Sequence, residues 1–240
     1  MTPELRGQTN CEACPIRHRA VCASCDTEEL LTLESIKYYT SFKAGETIVM
    51  AHDPMSFVAS LVSGTATLEH LTEDGRKQTV GLLLPSDFIG RPEREAAVYD
   101  VVAITDVTLC CFRRTQFEQL LASTPHITGR MLEMTLDELD AARAWMVLLG
   151  RKTAREKLAS FLLLILKRTV ADTPPLPAKA YSIDLPLTRE EIANYLGLTI
   201  ETVSRQFSKL KAEGLIRIES SKTVTIPDAE TLAEEAGSAL

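Results

Sequence analysis

The sequence has no hydrophobic run long enough to cross a membrane. The longest uninterrupted apolar stretch, Phe161 to Leu166, has six residues and ends at Lys167, whereas a membrane-spanning helix needs about 20. The first ten residues, MTPELRGQTN, also lack the apolar centre of a signal peptide. We therefore expect a cytoplasmic protein.

The chain also lacks an overall excess of positive charge, because its net charge is −7. This average argues weakly against nucleic-acid binding, but it conceals two unequal parts. Residues 151–226 carry 13 lysines and arginines against 8 aspartates and glutamates, a net charge of +5, whereas the remainder carries −12. A basic module attached to an acidic one is typical of a DNA-binding domain joined to a different domain.

The sequence contains few residues that could form a catalytic site. The four histidines are scattered through the chain, at His18, His52, His70 and His126. The two CxxC pairs could serve a thiol oxidoreductase, but that chemistry needs a thioredoxin-like βαβ context, which the hydrophobic pattern does not offer. We therefore expect no enzymatic activity.

The pattern along the chain predicts an α+β protein with four parts. Residues 1–27 show no hydrophobic period and form a cysteine-rich arm, and residues 28–125 begin with a short helix for which Thr27 is the expected N-cap. From Tyr38 to Phe112, period-two alternation interrupted by turns such as Asp74-Gly75 predicts an antiparallel β-roll. Residues 126–150 form a long helix, and residues 151–240 form a C-terminal domain.

The long helix carries a single apolar stripe. Its apolar residues recur at spacings of three and four, at Leu132, Leu136, Leu139, Ala142, Met146 and Leu149. Such a stripe either packs on its own domain or pairs with a second copy as a coiled-coil dimer seam. The stripe alone does not decide between the two. A second helix follows over Thr153–Thr169, and then a proline-rich linker over Asp172–Ala180.

The stretch LTREEIANYLGLTIETVSRQFSKLKAEGL predicts a helix-turn-helix. Thr188 and Glu191 have the spacing of a capping box, and Gly197 supplies the positive φ that a tight turn requires. Thr199 caps a second helix, the recognition helix, over Ile200–Glu213. Strands at Leu215–Ile218 and Thr223–Ile226 then predict the wing of a winged helix.

The recognition helix presents a polar face that suits DNA. Arg205 can donate two hydrogen bonds to a guanine, and Glu201 can accept one from a cytosine. Ser204 is short enough for close approach, and Lys209 lies farther along, where it suits a phosphate. Thr202 completes the set of DNA-binding residues. The co-occurrence of caps, turn and polar face favours DNA binding over two helices whose outer charges are merely solvated.

The cysteines indicate a metal site. The arm reads C-x2-C-x7-C-x2-C, with thiols at Cys11, Cys14, Cys22 and Cys25, a density that a cytosolic chain more often devotes to metal or redox chemistry than to disulfides. This spacing fits a four-thiolate zinc site or an iron–sulfur cluster, and by itself slightly favours zinc.

Two adjacent cysteines occur far from the arm. Val107, Leu109 and Cys111 alternate onto one face of a strand, which we interpret as the core face. Cys110 therefore points to the opposite face, where it can meet the arm.

The order of parts, together with E201-T-V-S204-R205 and the arm CEACPIRHRAVCASC, resembles the FNR group of the CRP/FNR superfamily of transcription regulators. The stretches GLLLPSDFIGRP and LGRKTAREKLASF are most similar to its FnrL branch of anaerobic regulators. The resemblance covers nearly the whole chain. It implies a homodimer on a palindromic operator with half-sites of the TTGAT type, activation or repression of transcription, and contact with RNA polymerase.

The resemblance also implies a [4Fe-4S] cluster held by Cys11, Cys14, Cys22 and Cys110. It implies a switch in which the intact cluster favours the dimer and oxygen degrades the cluster. The gap before Cys22 is two residues longer than in the better-known FNR pattern, and Cys25 is extra, so Cys25 could replace one arm ligand. The alternatives are a structural zinc ion, which makes a regulator blind to oxygen, and a small-molecule ligand. The cyclic-nucleotide branch has a phosphate-binding Arg-Ser pair, which GRPEREAAVYDVV lacks.

Overall fold

The computed structural model describes residues 10–71, 77–170 and 180–237. Contacts divide the chain into two compact units, one ending at Leu139 and the other beginning at Asp140. The start of the arm (1–9), the turn expected at Asp74-Gly75, all but the last residue of the linker expected at Asp172–Ala180, and the last three residues of the chain lie outside the described residues. The expected α+β class is confirmed, whereas the four-part division remains a prediction.

The first unit contains the cysteine arm and a β-roll. Its described elements, in chain order, are a 3-10 turn at Cys11–Ala13, α1 at Thr27–Ile36, β1 at Lys37–Phe42, β2 at Thr47–Val49, β3 at Phe57–Ser63, β4 at Ala66–Leu71, β5 at Lys77–Leu83, β6 at Phe88–Ile89, β7 at Asp100–Ala103, β8 at Val107–Arg113, α2 at Arg114–Ser123 and the first part of α3 at Pro125–Arg151. The strands form two antiparallel sheets with the orders β1-β8-β3-β6 and β2-β7-β4-β5.

The sheet β1-β8-β3-β6 is buried on both faces. One face carries Ala59 and Leu61 of β3 into a core shared with the second sheet. The other face carries Val58 and Val62 into a separate core formed with α1, α2, α3 and the arm. Because neighbouring residues of a strand point to opposite faces, β3 supplies both cores at once.

The helix α1 begins one residue earlier than the sequence suggested. Thr27 was the expected N-cap, but the structure places Asp26 there, where its carboxylate accepts from the backbone amides of Glu28 and Glu29. The carboxylate of Glu29 in turn accepts a hydrogen bond from the backbone amide of Asp26, which completes a capping box. Asp26 and Thr27 are both good N-cap residues, and only Asp26 has a glutamate at the third helical position.

The second unit holds the end of α3 and the C-terminal domain. Its further elements are α4 at Ala154–Val170, β9 at Tyr181–Asp184, α5 at Arg189–Leu196, α6 at Ile200–Ala212, β10 at Arg217–Ile218, β11 at Thr223–Ile226 and α7 at Ala229–Glu235. The strands form the order β10-β11-β9. The sequence interpretation missed β9 and α7 and started β10 two residues too early. Among the described residues, no helix combines the length and apolar character that crossing a bilayer demands.

Gly64 and Gly45 lie in turns of the β-roll, and the space around the two residues differs. Gly64 and Gly45 have nearly the same backbone angle, φ +88° and φ +87°, but a Cβ on Gly64 would lie 2.2 Å from the carbonyl oxygen of Asp106, whereas a Cβ on Gly45 meets nothing within 4 Å. We expect Gly45→Ala to lower the free energy of unfolding by about 1–2 kcal/mol through backbone strain alone. Gly64→Ala should lower the free energy of unfolding by clearly more, because the carbonyl group of Asp106 must also move. Urea denaturation measures both, and equal losses would contradict this account of the Gly64 turn.

Candidate functional site

Strand β8 separates its two adjacent cysteines. Cys111 is buried in the core between the two sheets, together with Val107 and Leu109. Cys110 is buried in the core beneath the arm, together with Phe112. The face assignment made from strand alternation is therefore confirmed, and the thiol that reaches the arm belongs to Cys110.

The arm is anchored by apolar side chains that the sequence interpretation overlooked. Ile16, Ala20 and Val21 are almost fully buried in the same core as Cys110. These buried residues are separated by four positions and then by one, which matches neither the helix period nor the strand period. For this reason the arm shows no hydrophobic period in the sequence. The arm thus packs against the β-roll by burying apolar surface, quite apart from its thiols.

A single arginine holds the arm in its folded form. The guanidinium of Arg17 donates hydrogen bonds to the backbone carbonyls of Cys22, Ala23 and Cys25. These carbonyls belong to a loop without regular secondary structure, so they have no helix or sheet partners to accept from. Arg17 therefore fixes the position of the second cysteine pair relative to the first.

The structure brings the predicted cysteines together. Cys11 and Cys110 are buried in one core, and Cys14 and Cys22 pack against it half-buried. Cys25 is buried in the same core, but its electrostatic surroundings differ. Burial raises the pKa of its thiol to about 12, and the charges of Cys22, Glu29 and Asp26 raise it further, while Arg17 acts in the opposite direction.

Burial makes the thiols of Cys110 and Cys22 hard to ionise. Burial raises the pKa of the Cys110 thiol, and the negative charges of Cys14, Cys11 and Cys22 raise it further. Burial also raises the pKa of Cys22 to about 11, although Arg17 acts in the opposite direction. Because thiolates are the ligands of metals, a bound metal group would have to displace protons here.

The cysteine sulfurs are not arranged around one small ion. Within the described part of the chain, the group of three or more possible ligand atoms that all lie within 4.8 Å of one another is Asp26, Glu29 and His126, which the α1 capping box and a His126–Glu29 contact of 3.0 Å already explain. A four-thiolate zinc site, with Zn–S distances of about 2.3 Å, brings its sulfurs to about 3.8 Å from one another. Among the described residues, no three of the cysteine sulfurs lie even within 4.8 Å of one another.

The arm also contacts the first turns of α3. Arg130 donates a hydrogen bond of 2.7 Å to the backbone carbonyl of Arg19, which lies between the two cysteine pairs. His126 meets Glu29 of α1, and Ile127 is fully buried in the core that contains Cys110. One side of α3 is thus packed against the elements that carry the cysteines.

The apolar stripe of α3 faces away from those contacts. The side chains proposed as a dimer seam are exposed, by 60% at Leu132, 52% at Leu136, 44% at Leu139 and 69% at Met146. The sequence left open whether this stripe packs on the chain's own domain or pairs with a second copy. In the structure, these four side chains do not pack on the β-roll. Large apolar patches that remain exposed on a protein surface often belong to interaction sites.

The helix-turn-helix forms as its local signals predicted. Thr188 and Glu191 make a reciprocal capping box, Gly197 adopts φ +61°, and the Thr199 side chain accepts from the amide of Thr202. The inner face of α6 buries Val203, Phe207 and Leu210, as its spacing of four and three indicates.

The outer face of α6 carries the predicted DNA-binding residues. Glu201, Ser204, Arg205 and Lys209 are exposed and Thr202 is half-buried. The guanidinium of the exposed Arg205 donates a long hydrogen bond of 3.4 Å to the hydroxyl of Thr202. Backbone and Thr199 hydrogen bonds lower the pKa of Glu201, so its carboxylate is an acceptor at neutral pH.

One cation that packs against the buried side of α6 was not identified from the sequence. The guanidinium of Arg189, the first residue of α5, lies 3.1 Å from the centre of the Phe207 ring. Burial lowers its pKa to about 10, which still leaves it charged at neutral pH. The sequence does show a cation directly after the Thr188 cap. The pattern could not show that Arg189 stacks on Phe207, because the two residues belong to different helices.

Two family models match the chain. Residues 156–235 match the Crp-like helix-turn-helix domain, and residues 39–124 match the cyclic nucleotide-binding domain. The first match covers the helices and wing described above. The second covers the β-roll, although the stretch from Gly90 to Val102 lacks the Arg-Ser pair, so the expectation against a cyclic nucleotide remains a prediction.

Whole-chain relatives agree with these matches. The chain is 60% identical over 227 residues to the transcriptional activator protein FnrL of Cereibacter sphaeroides, an alignment that covers 95% of this chain and 92% of the relative. It is 40% identical to the nitrogen fixation regulation protein FixK of Bradyrhizobium diazoefficiens, with 87% and 86% covered. The structure of FixK2 from Bradyrhizobium japonicum is similar with a TM-score of 0.75 and 29% identity, over 85% of this chain and 100% of that one.

Proposed function

Because this chain belongs to the CRP/FNR family of transcription regulators, we propose that it senses oxygen through a [4Fe-4S] cluster held by Cys11, Cys14, Cys22 and Cys110. The family consists of DNA-binding regulators rather than enzymes, and the chain is a transcriptional activator of this family with a helix-turn-helix. The observation that carries the proposal is the meeting of arm cysteines with Cys110 of β8 in one buried core.

The donor set suits an iron–sulfur cluster better than zinc. Four thiols converge from two parts of the chain, and among the described residues no three of their sulfurs lie within 4.8 Å of one another, whereas the sulfurs around a tetrahedral zinc ion are about 3.8 Å apart. An iron–sulfur cluster is larger than a single zinc ion, so thiolates that held it would stand farther apart. Cys25 is buried in the same core but is not part of the proposed ligand set.

When bound, the cluster supplies an oxygen-labile crosslink between the arm and β8. The residues of the chain then connect this crosslink to the dimer. Arg130 and Ile127 attach the first turns of α3 to the arm core, while the opposite side of the same helix exposes Leu132 and Leu136. An arm held in place therefore fixes the helix that carries the apolar stripe, and we propose that this stripe pairs with its copy in a homodimer.

A two-fold dimer presents two copies of α6 to DNA. Such an arrangement reads a palindrome with half-sites about one helical turn apart. In each half-site, Arg205 would read a guanine and Glu201 a cytosine, with Ser204 and Thr202 beside them and Lys209 on a phosphate. Activation further requires contact between the bound dimer and RNA polymerase.

The cluster assignment is tested by the metal content of anaerobically purified protein. We expect the wild-type chain to contain iron and acid-labile sulfide, Cys110→Ser to lose both, and Cys111→Ser to keep most of them, because only Cys110 faces the arm. The two variants are matched controls for each other, since they change neighbouring buried thiols of one strand. A colourless wild-type protein that contains zinc, or equal iron loss in both variants, would contradict the proposal.

The dimer seam is tested by adding a charge to the stripe. Leu139→Glu would place a carboxylate against its own copy without a partner, at a desolvation cost, so sedimentation of the anaerobic protein should show a monomer. Ala141→Glu is the matched control, because residue 141 is exposed and lies on the opposite side of the helix by its 3.6-residue period. A stable Leu139→Glu dimer would rule the seam out.

The recognition helix is tested with an operator series at fixed salt and without oxygen. Arg205→Ala should cost about 1–3 kcal/mol per half-site and relax the preference at one G·C pair only. Lys209→Ala should instead weaken binding to all sequences and flatten the salt dependence. If Arg205→Ala lowers affinity uniformly and leaves the base preference intact, Arg205 is a phosphate contact and the interpretation of this face is wrong.

A further inference from the structure

A lysine side chain is buried beside the cysteine cluster. Lys37 is the first residue of β1, and its side chain is 7% exposed. It pairs with Phe112 in the β1–β8 register, as Tyr39 pairs with Cys110. Because directly opposite residues of an antiparallel pair share a face, Lys37 lies on the face that meets the arm. Lysines are almost never fully buried without a partner.

The ammonium group of Lys37 is directed at a cysteine. Its Nζ atom lies 3.2 Å from Sγ of Cys11 and 3.8 Å from Oε1 of Glu34. The other carboxylate oxygen of Glu34 accepts the backbone amide of Cys11 at 3.3 Å. Glu34 therefore binds both the lysine and the backbone of the cysteine, which holds the two side chains together.

The groups around the ammonium of Lys37 suit a cation, because a carboxylate oxygen of Glu34 lies 3.8 Å from Nζ. The ring of Tyr39, 5.5 Å from Nζ, adds a favourable cation–π contact. The core beneath the arm thus contains one fixed positive charge next to Cys11.

We propose that Lys37 is a positioning residue for the iron–sulfur cluster, which donates an N–H···S hydrogen bond to Cys11 and balances the negative charge of the thiolate ligands. This inference rests on the proposed function. Four thiolates outweigh the charge of the cluster core, so the bound group is a buried anion, which is costly without a compensating charge. Hydrogen bonds to the sulfurs and partners outside the ligand shell govern how firmly such a group is held.

Three variants separate this role from a structural one. Lys37→Met removes the charge and the donor but keeps the length of the side chain, and Lys37→Arg keeps both the charge and N–H donors. Lys43→Met is the matched control, because Lys43 follows the same strand but is 79% exposed and pairs with Asp106 at 2.7 Å. Each protein is purified without oxygen, loaded with iron and sulfide, and mixed with a ferrous chelator.

The rate of iron release to the chelator is the readout. We expect release from Lys37→Met to be about tenfold faster than from the wild type, which is the lower end of what the loss of such an outer partner costs at metal sites. Lys37→Arg and Lys43→Met should release iron close to the wild-type rate. The melting temperatures of the iron-free proteins should differ little, because the proposed role requires the cluster.

The contrary outcomes are distinct. Equal release from the wild type and Lys37→Met, or release from Lys37→Arg as fast as from Lys37→Met, would overturn the role of Lys37. If Lys37→Met lowers the melting temperature of the iron-free protein as much as that of the iron-loaded protein, Lys37 has a structural role instead. A wild-type chain that takes up no iron would instead contradict the proposed function itself.

Discussion

The alternation of side chains along β8 is the constraint on which the site depends. A strand sends neighbouring residues to opposite faces, so Cys111 goes to the core between the sheets and Cys110 to the core beneath the arm. The sheet that contains β8 is buried on both faces. One face packs against the second sheet of the roll, and the other packs against the arm and the helices. A register slip of one residue would exchange the two cysteines and the two cores together.

The arm itself is held by modest interactions. Burial of a side chain such as Ile16 contributes about 1.5–3 kcal/mol, and single hydrogen bonds such as Arg130 to the carbonyl of Arg19 contribute about 1 kcal/mol each. A segment with so few attachments belongs to the part of a protein that opens most readily. Under the proposed function, a crosslink between the arm and β8 would therefore control whether the arm holds α3. Lys37, whose side chain is buried beside Cys11, would then influence how long that crosslink lasts.

Much of the architecture could be predicted from the sequence because its signals are local. The capping box at Thr188, the turn at Gly197 and the apolar spacing of α6 each involve residues a few positions apart, and all three are present in the structure. The opposite faces of Cys110 and Cys111 needed only strand geometry. The ligand set and the DNA contacts remain predictions, since they involve groups outside the chain.

The features that escaped prediction depend on contacts between distant residues. The arm has no period because Ile16, Ala20 and Val21 follow the surface of the roll rather than a helix or strand of their own. Strand β9 exists through its pairing with β11, which lies some forty residues later. Lys37 meets Cys11, and Arg189 meets Phe207, across separate elements. A sequence pattern indicates which face a residue occupies but not which residue faces it.

The central claim is that the arm, once crosslinked to β8, holds the first half of α3. Hydrogen–deuterium exchange of the same protein, kept anaerobic or exposed to air, tests it most directly. The account predicts that backbone amides of the arm and of residues 125–139 lose protection together on exposure to air, while those of α5 and α6 in the second unit keep theirs. Loss of protection in the arm with no change in residues 125–139 would contradict it.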